Sequence, residues 1–321
     1  MTETALAIPN NQVQQLAHEF VLAYVSEETR RAYWQDFTNL LNFTGQRFPT
    51  RGDVIAWRDS MIQGGLGPST IARRLSVARR FFAFLNRQGV IDRSPAEDVR
   101  SQPVSQEGKT PALTVEEAQA LIAQPDLNTS KGWRDFALLN LLVRTGLRRQ
   151  EAADLTCASI EESNGYHILR VMGKGGKERT LRLTEEALQP VNLWLRVGNL
   201  TGGDPLFPAW DGKGAGRLSH PLRHLSGAAV WNLVTAYANQ AGLNGKRISP
   251  HCLRATFTTL AIEGGAPVHR TSHDLGHTDL KTTTRYYRAF DELRDAATTY
   301  IRLEGRDDQN KDTTTTTGPT E

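Results

Sequence analysis

The chain has 321 residues, with 38 Lys plus Arg against 35 Asp plus Glu and a formal net charge of +3. That length suits about two domains, and 39% hydrophobic with 23% charged residues is the composition of a soluble globular protein. Two cysteines, Cys157 and Cys252, exclude a disulfide framework and a cysteine metal site; no apolar run has the length of a bilayer-crossing helix or the form of a secretory leader, so the expected location is the cytoplasm.

Residues 1–98 read as a helical domain. In NQVQQLAHEFVLAYV, Val13, Leu16, Phe20 and Tyr24 fall at helical spacing, and SEETRRAYWQDFTNLLNF repeats the pattern through Tyr33, Phe37, Leu40 and Leu41 behind a start at Ser26. FPTRGDVIAWRDSMI gives a third helix, with Thr50 as its cap and Val54, Trp57 and Ile62 inward. After the break from Gly65 to Pro68, Ser69 or Thr70 caps a fourth, which buries Leu75, Phe82 and Leu85 and carries Arg73, Arg74, Arg79 and Arg80 on its more polar side. From Leu66 to Arg93 there are six arginines and one acid, Asp92. The whole-chain charge is too small to demonstrate a polyanionic partner, but this face suits phosphate contact; its ordinary alternative is a solvated helix surface.

Polar residues 99–112, VRSQPVSQEGKTPA, form a linker. A second domain, residues 113–303, opens with TVEEAQALIAQ, where Thr114 and Glu117 match a capping box, and continues into WRDFALLNLLVRTG, an apolar core helix. His167–Met172 and Arg179–Leu183 are β-prone runs around GKGGK, which predicts a hairpin. Helices resume at EEALQPVNLWLRVG, LSGAAVWNLVTAYANQAG and PHCLRATFTTLAIEGG, with GDPLFPAWDGKGAGRLSHP as loop; DELRDAATTYIRL predicts a last helix, and residues 304–321 a disordered tail. The fold expected is mainly α with a small β-sheet in the second domain.

Four clusters carry chemistry. RTGLRRQEAADL places Arg148 and Glu151 three apart at a helix starting near Leu147, an acid-held guanidinium fork suited to phosphate. GKGGKER sets Lys174 and Lys177 at the hairpin tip, without the spacing of a nucleotide-binding loop. SPHCLRATF puts His251 and Arg254 three apart on a helix capped by Ser249 and begun by Pro250. LGHTDLKTTTRYY holds His277 and, nine residues on, Tyr286 beside Tyr287; in one unbroken helix His277 and Tyr286 would face opposite ways, so convergence needs a bend at Thr282–Thr284.

Taken singly these are an intrahelical ion pair, a solvent-facing turn, ordinary helix residues and packing tyrosines. Together, two arginines, a lysine, histidines and a tyrosine suit attack on a phosphodiester, and the clusters show no metal-ligand spacing. A tyrosine nucleophile is awkward, because forming the phenolate at neutral pH costs roughly 4 kcal/mol. Neighbouring cations lower that cost, and Lys174 is a sensible acid for the departing 5′-oxygen.

In this order of residues, Arg148 with Glu151, Lys174, His251 with Arg254, His277 and Tyr286, the chain resembles the tyrosine recombinase or phage integrase family over nearly all of its folded part. The resemblance implies that Arg148 and Arg254 hold the scissile phosphate with His277 assisting, and that His251 aids proton transfer at the tyrosine. Lys174 protonates the leaving 5′-hydroxyl, with Lys177 the weaker alternative, Glu151 supports the cations, and Tyr286 forms a 3′-phosphotyrosyl link. Arg149 and Gln150 stand where the family often has a small apolar residue and then Ser or Gly, and Ala255 stands where it has His.

The resemblance further implies no cofactor or metal, a helical core-binding first domain in which Arg73, Arg74, Arg79 and Arg80 contact DNA, and duplex DNA with paired recognition arms as partner. It implies a homo-tetramer on two sites working through a Holliday junction, with the seam Leu293, Ala297, Tyr300 and Ile301 docking on a neighbour and accessory DNA-binding proteins as further partners. The rival expectations are a type IB topoisomerase, which shares the chemistry but relaxes one duplex, and a noncatalytic architectural DNA-binding protein.

Overall fold

The structure is a computed structural model that describes residues 10–103, 110–173, 176–211, 217–219 and 221–276. The chain divides into two compact units between residues 106 and 107.

The first unit contains four helices, α1 (Asn10–Leu22), α2 (Glu27–Phe43), α3 (Arg51–Gln63) and α4 (Pro68–Arg87). Ser26 caps α2, accepting a hydrogen bond from the Thr29 amide, and Thr50 with Asp53 forms a full capping box on α3. α4 begins differently from expectation: Gly67 is the N-cap and Pro68 the first helical residue, with no side-chain cap. Proline's fixed φ starts the helix there, so Ser69 and Thr70 are already inside it. The core gathers Phe20, Phe37, Leu40, Trp57, Leu75, Phe81 and Phe82, all nearly or fully buried, with the Phe37 and Phe81 rings 4.1 Å apart. On α3 Val54 and Trp57 point inward as expected, but the third buried position is Met61, while Ile62 is only partly buried. Val99, placed in the linker by its sequence context, packs in this core.

The second unit is built on α6 (Ser130–Thr145), whose residues 137–143 are nearly all apolar and all buried. Around it pack α5 (Val115–Ile122), α8 (Glu185–Gly198), α9 (Gly227–Gln240) and α10 (Pro250–Glu263), with the short α7 (Arg149–Ala153) and α11 (Val268–Leu275) beside them. Thr114 and Glu117 form the expected capping box on α5.

The hairpin is present as β2 (Tyr166–Met172) and β3 (Glu178–Arg182), antiparallel with Met172 opposite Glu178. A further strand, β1 (Ile160–Ser163), pairs with the other edge of β2, giving the order β1-β2-β3. Its residues have little β propensity; the turn Asn164–Gly165, with φ of 51° and 75°, supplies the signal, because two left-handed residues match the twist of flanking strands. The glycine-rich stretch read as loop also contains a small ladder, β4 (Trp210–Asp211) with β5 (Arg217–Leu218). The last helix of the sequence reading and the tail lie outside the described residues.

Candidate active site

Gly146 ends α6 in the left-handed region with φ of 62°. A Cβ there would stand 2.7 Å from Phe257 Cδ1 on α10 and 2.8 Å from Leu275 Cδ2 on α11, so only glycine lets the chain turn this close to both. The helix expected near Leu147 instead begins at Arg149, because Arg148 keeps an extended backbone as N-cap of α7. That puts both ends of Arg148 on one acid: its backbone amide donates to Glu151 Oε2 at 2.8 Å and its Nη1 to Glu151 Oε1 at 2.6 Å. Arg148 Nη2 reaches the Gly276 carbonyl at 3.5 Å.

Glu151 has a second guanidinium partner that the sequence reading missed. Arg179, on β3, donates from Nη1 to Oε1 at 3.0 Å and from Nη2 to Oε2 at 2.7 Å, while its Nε bonds the Asp274 carbonyl at 2.9 Å. The available signal was strand alternation: Arg179 shares a face with buried Leu181, and a charge on an inward face requires a partner. Burial alone would push the Glu151 carboxyl up. The hydrogen bonds from Arg179, the Arg148 amide and the Arg148 guanidinium outweigh it and hold the pKa at about 2.

On α10, Pro250 is the first helical residue and Ser249 the N-cap, but the Ser249 side chain makes no capping bond and its Oγ lies 3.4 Å from Cys252 Sγ. Arg254 is buried, donating from Nη1 to the Gly146 carbonyl at 2.6 Å and from Nη2 to the Leu275 carbonyl at 2.5 Å. His251 keeps solvent exposure; desolvation, then the charges of Arg254 and Arg148, lower its pKa below the ordinary imidazole value. That shift favours the neutral imidazole, the form that can accept a proton.

Three arginines from α7, β3 and α10 thus meet the last carbonyls of α11, where the aligned peptide dipoles concentrate negative potential. α11 itself escaped the sequence reading because two of its buried positions, Thr271 and Ser272, are polar. Lys174, His277, Tyr286 and Tyr287 lie outside the described residues; Lys177 is described and exposed, its carbonyl accepting from the Gly173 amide at 2.7 Å. Among the described residues no cluster of His, Cys, Asp or Glu is arranged to hold a metal ion, and no helix is long and apolar enough to cross a membrane.

In the first unit, the α4 arginines do not share one face. At about 100° per residue, Arg73 and Arg80 lie about 20° apart around the helix and Arg79 about 120° from Arg73. Arg73 pairs with buried Asp36, Arg74 lies 3.6 Å from the same acid and donates to Asn39, and Arg80 donates to the Tyr33 hydroxyl at 3.2 Å. Arg79 bonds the Val99 carbonyl at 2.5 Å. Burial outweighs the two arginines at Asp36 and raises its carboxyl pKa above the usual value.

The phage integrase family model matches residues 111–292, and the model of the phage integrase N-terminal SAM-like domain matches residues 17–89. The tyrosine recombinase XerD of Pseudomonas putida is 34% identical over 277 residues, covering 82% of this chain and 87% of its own. That of Vibrio cholerae is 31% identical over 275 residues, covering 82% and 86%. Among solved structures, the lambda integrase 75–356 dimer on a COC′ core site aligns with TM-score 0.70 at 15% identity, over 92% of this chain and 99% of that one. The XerH recombinase in its post-cleavage complex with palindromic difH aligns with TM-score 0.67 at 20% identity, over 92% and 85%. The chain belongs to the phage integrase family, the tyrosine recombinases. Its class of activity is metal-independent site-specific DNA recombination, in preference to topoisomerase or purely architectural roles.

Proposed function

We propose that this recombinase cleaves duplex DNA with Tyr286, forming a 3′-phosphotyrosyl link as the P–O5′ bond breaks and Lys174 protonates the departing 5′-oxygen to give a 5′-hydroxyl. A 5′-hydroxyl from a partner strand then attacks the link and restores Tyr286, so bond energy is conserved and no external cofactor is consumed. Arg148, Arg254 and His277 stabilise the negative charge that grows on the nonbridging oxygens, His251 assists proton transfer at the tyrosine, and Glu151 holds Arg148. The observation that carries this reading is the meeting of Arg148 and Arg254 on the Gly276 and Leu275 carbonyls, immediately before His277 in the chain and near His251. Burial and the charges of Arg254 and Arg148 favour the neutral form of His251, the form a proton acceptor at the tyrosine requires.

DNA bound to relatives in the solved complexes supports duplex DNA as the partner. The finer reading is a domain arrangement of residues 1–98, linker 99–112 and 113–303, in which the head of the linker at Val99 packs onto the first domain's core, with Arg73, Arg74, Arg79 and Arg80 supplying phosphate contacts. Arg73 and Arg80 are the more exposed of the four. Four protomers act on two sites with paired recognition arms, through a Holliday junction and with accessory DNA-binding proteins. The decisive test uses a duplex selected by the protein from random fragments and nicked to trap cleavage. Wild type and Tyr287→Phe should form a covalent adduct, while Tyr286→Phe forms none yet binds DNA within about threefold of wild type. An adduct that persists in Tyr286→Phe and vanishes in Tyr287→Phe moves the nucleophile.

A further inference from the structure

We propose that Arg179 is a positioning residue for the recombination chemistry, tying the acid that orients Arg148 to the end of α11 from which the His277 and Tyr286 segment departs. The proposal rests on the recombinase reading above and assigns a role to a side chain outside its catalytic set.

Arg179 is 8% exposed, and its guanidinium is engaged on both edges. The two Nη groups grip Glu151 end-on, one to each carboxylate oxygen, and Nε donates to the Asp274 carbonyl in the last turn of α11. A guanidinium makes these three bonds at once because its donors lie in one rigid plane; an ammonium cannot reproduce the fork. The close approach is built into the backbone. Gly276 ends α11 with φ of 63°, and a Cβ on it would lie 3.1 Å from Arg179 Cδ. On the other side, a Cβ on Gly173 would lie 3.6 Å from Arg179 Nη1 and 3.1 Å from the Lys177 carbonyl.

Arg179 therefore bonds both the acid that holds Arg148 and the end of α11, and lies close beside Gly276 and Gly173, while contacting neither scissile phosphate nor nucleophile in the proposed mechanism. It neutralises Glu151, so that the acid orients Arg148 without cancelling its charge. In its absence Glu151 retains only Arg148, and the pair closes into an ordinary ion pair that competes with phosphate for the guanidinium. The α11 carbonyl end also loses one of its three arginines.

The test compares wild type, Arg179→Ala, Arg179→Lys, Glu151→Gln and the double variant Arg179→Ala/Glu151→Gln on the selected, nicked duplex, reading binding and single-turnover adduct formation separately. Binding should stay within about threefold, since phosphate contacts spread over the whole footprint dominate affinity. Adduct formation should fall on the order of 100-fold in Arg179→Ala, the effect of a small misplacement at the reacting centre. Arg179→Lys should recover part of that loss, by roughly tenfold, through one remaining charge contact to Glu151. The double variant should be no slower than Arg179→Ala alone, because the two residues act as a unit.

A wild-type cleavage rate in Arg179→Ala overturns the role, as does a parallel fall in binding and cleavage, or additive losses in the double variant. If Arg179→Ala fails to fold, Arg179→Lys, which keeps the charge, carries the comparison: full wild-type cleavage there overturns the need for the fork. Absence of an adduct with wild type sinks the recombinase reading itself and the Arg179 role with it, an outcome distinct from all the others.

Discussion

Glu151 shows how a buried acid is kept ionised by what surrounds it. Its carboxylate receives the Arg148 amide, the Arg148 guanidinium and both Nη groups of Arg179, and its pKa stands at about 2 against an ordinary 4.5. A folded-state pKa below the unfolded one contributes stability that is complete above about pH 4.5 and is lost as pH falls toward 2. Between pH 7 and pH 3 this one group should remove about 2 kcal/mol of unfolding free energy. Urea titrations at the two pH values should show that drop in wild type and a correspondingly smaller one in Glu151→Gln; equal drops would dissociate Glu151 from the acid sensitivity. The pairing of Arg148 with Glu151 was legible from three-residue spacing. The pairing with Arg179 was not, since it links positions 28 apart on different elements.

At the scale of elements, the turn from α6 into α7 is the most constrained piece of the site. Gly146 combines a left-handed φ with a Cβ position already occupied by Phe257 and Leu275, and its carbonyl holds Arg254. Gly146→Ala should therefore cost about 2–4 kcal/mol, summing the left-handed penalty with overpacking. Gly165, in the β1–β2 turn, has a φ of 75° but open space around it, so Gly165→Ala should cost only about 1–2 kcal/mol. Chemical denaturation of the two variants measures the difference, and equal losses would show that crowding at Gly146 is relieved by side-chain movement. The helices of both units were readable because apolar residues recur on one face and caps precede them. α11 and β1 were not: two buried positions of α11 are polar, and β1 owes its place to a turn and a partner strand.

For the whole molecule, the first unit's core includes Ala96 and Val99, beyond the end of α4, and the Val99 carbonyl is held by Arg79. A fragment of residues 1–103 should fold by itself, while residues 1–94 lose that closing segment. Burial of Val99 and Ala96 predicts a loss of about 2 kcal/mol, and hence a melting temperature lower by roughly 10 °C. Thermal unfolding followed by circular dichroism makes the comparison; identical melting curves would return residues 95–103 to the linker.

From sequence alone came the properties set by short-range physics: helical periodicity, a cap at Thr50 and a capping box at Thr114, the hairpin around GKGGK, and an ordered set of residues whose chemistry pointed to phosphodiester transfer. Those signals survive in one dimension because each depends on residues a few positions apart. Tertiary structure decided the rest. It split the α4 arginines between faces, occupied two of them with Asp36, and brought Arg148, Arg179 and Arg254 to the carbonyl end of α11. Hydrogen-bond partners across long loops follow from packing of the apolar core, which no local pattern encodes. Arg179 is the clearest case: one charge on a strand, unremarkable in sequence, whose partners are found only once β3, α7 and α11 have packed together.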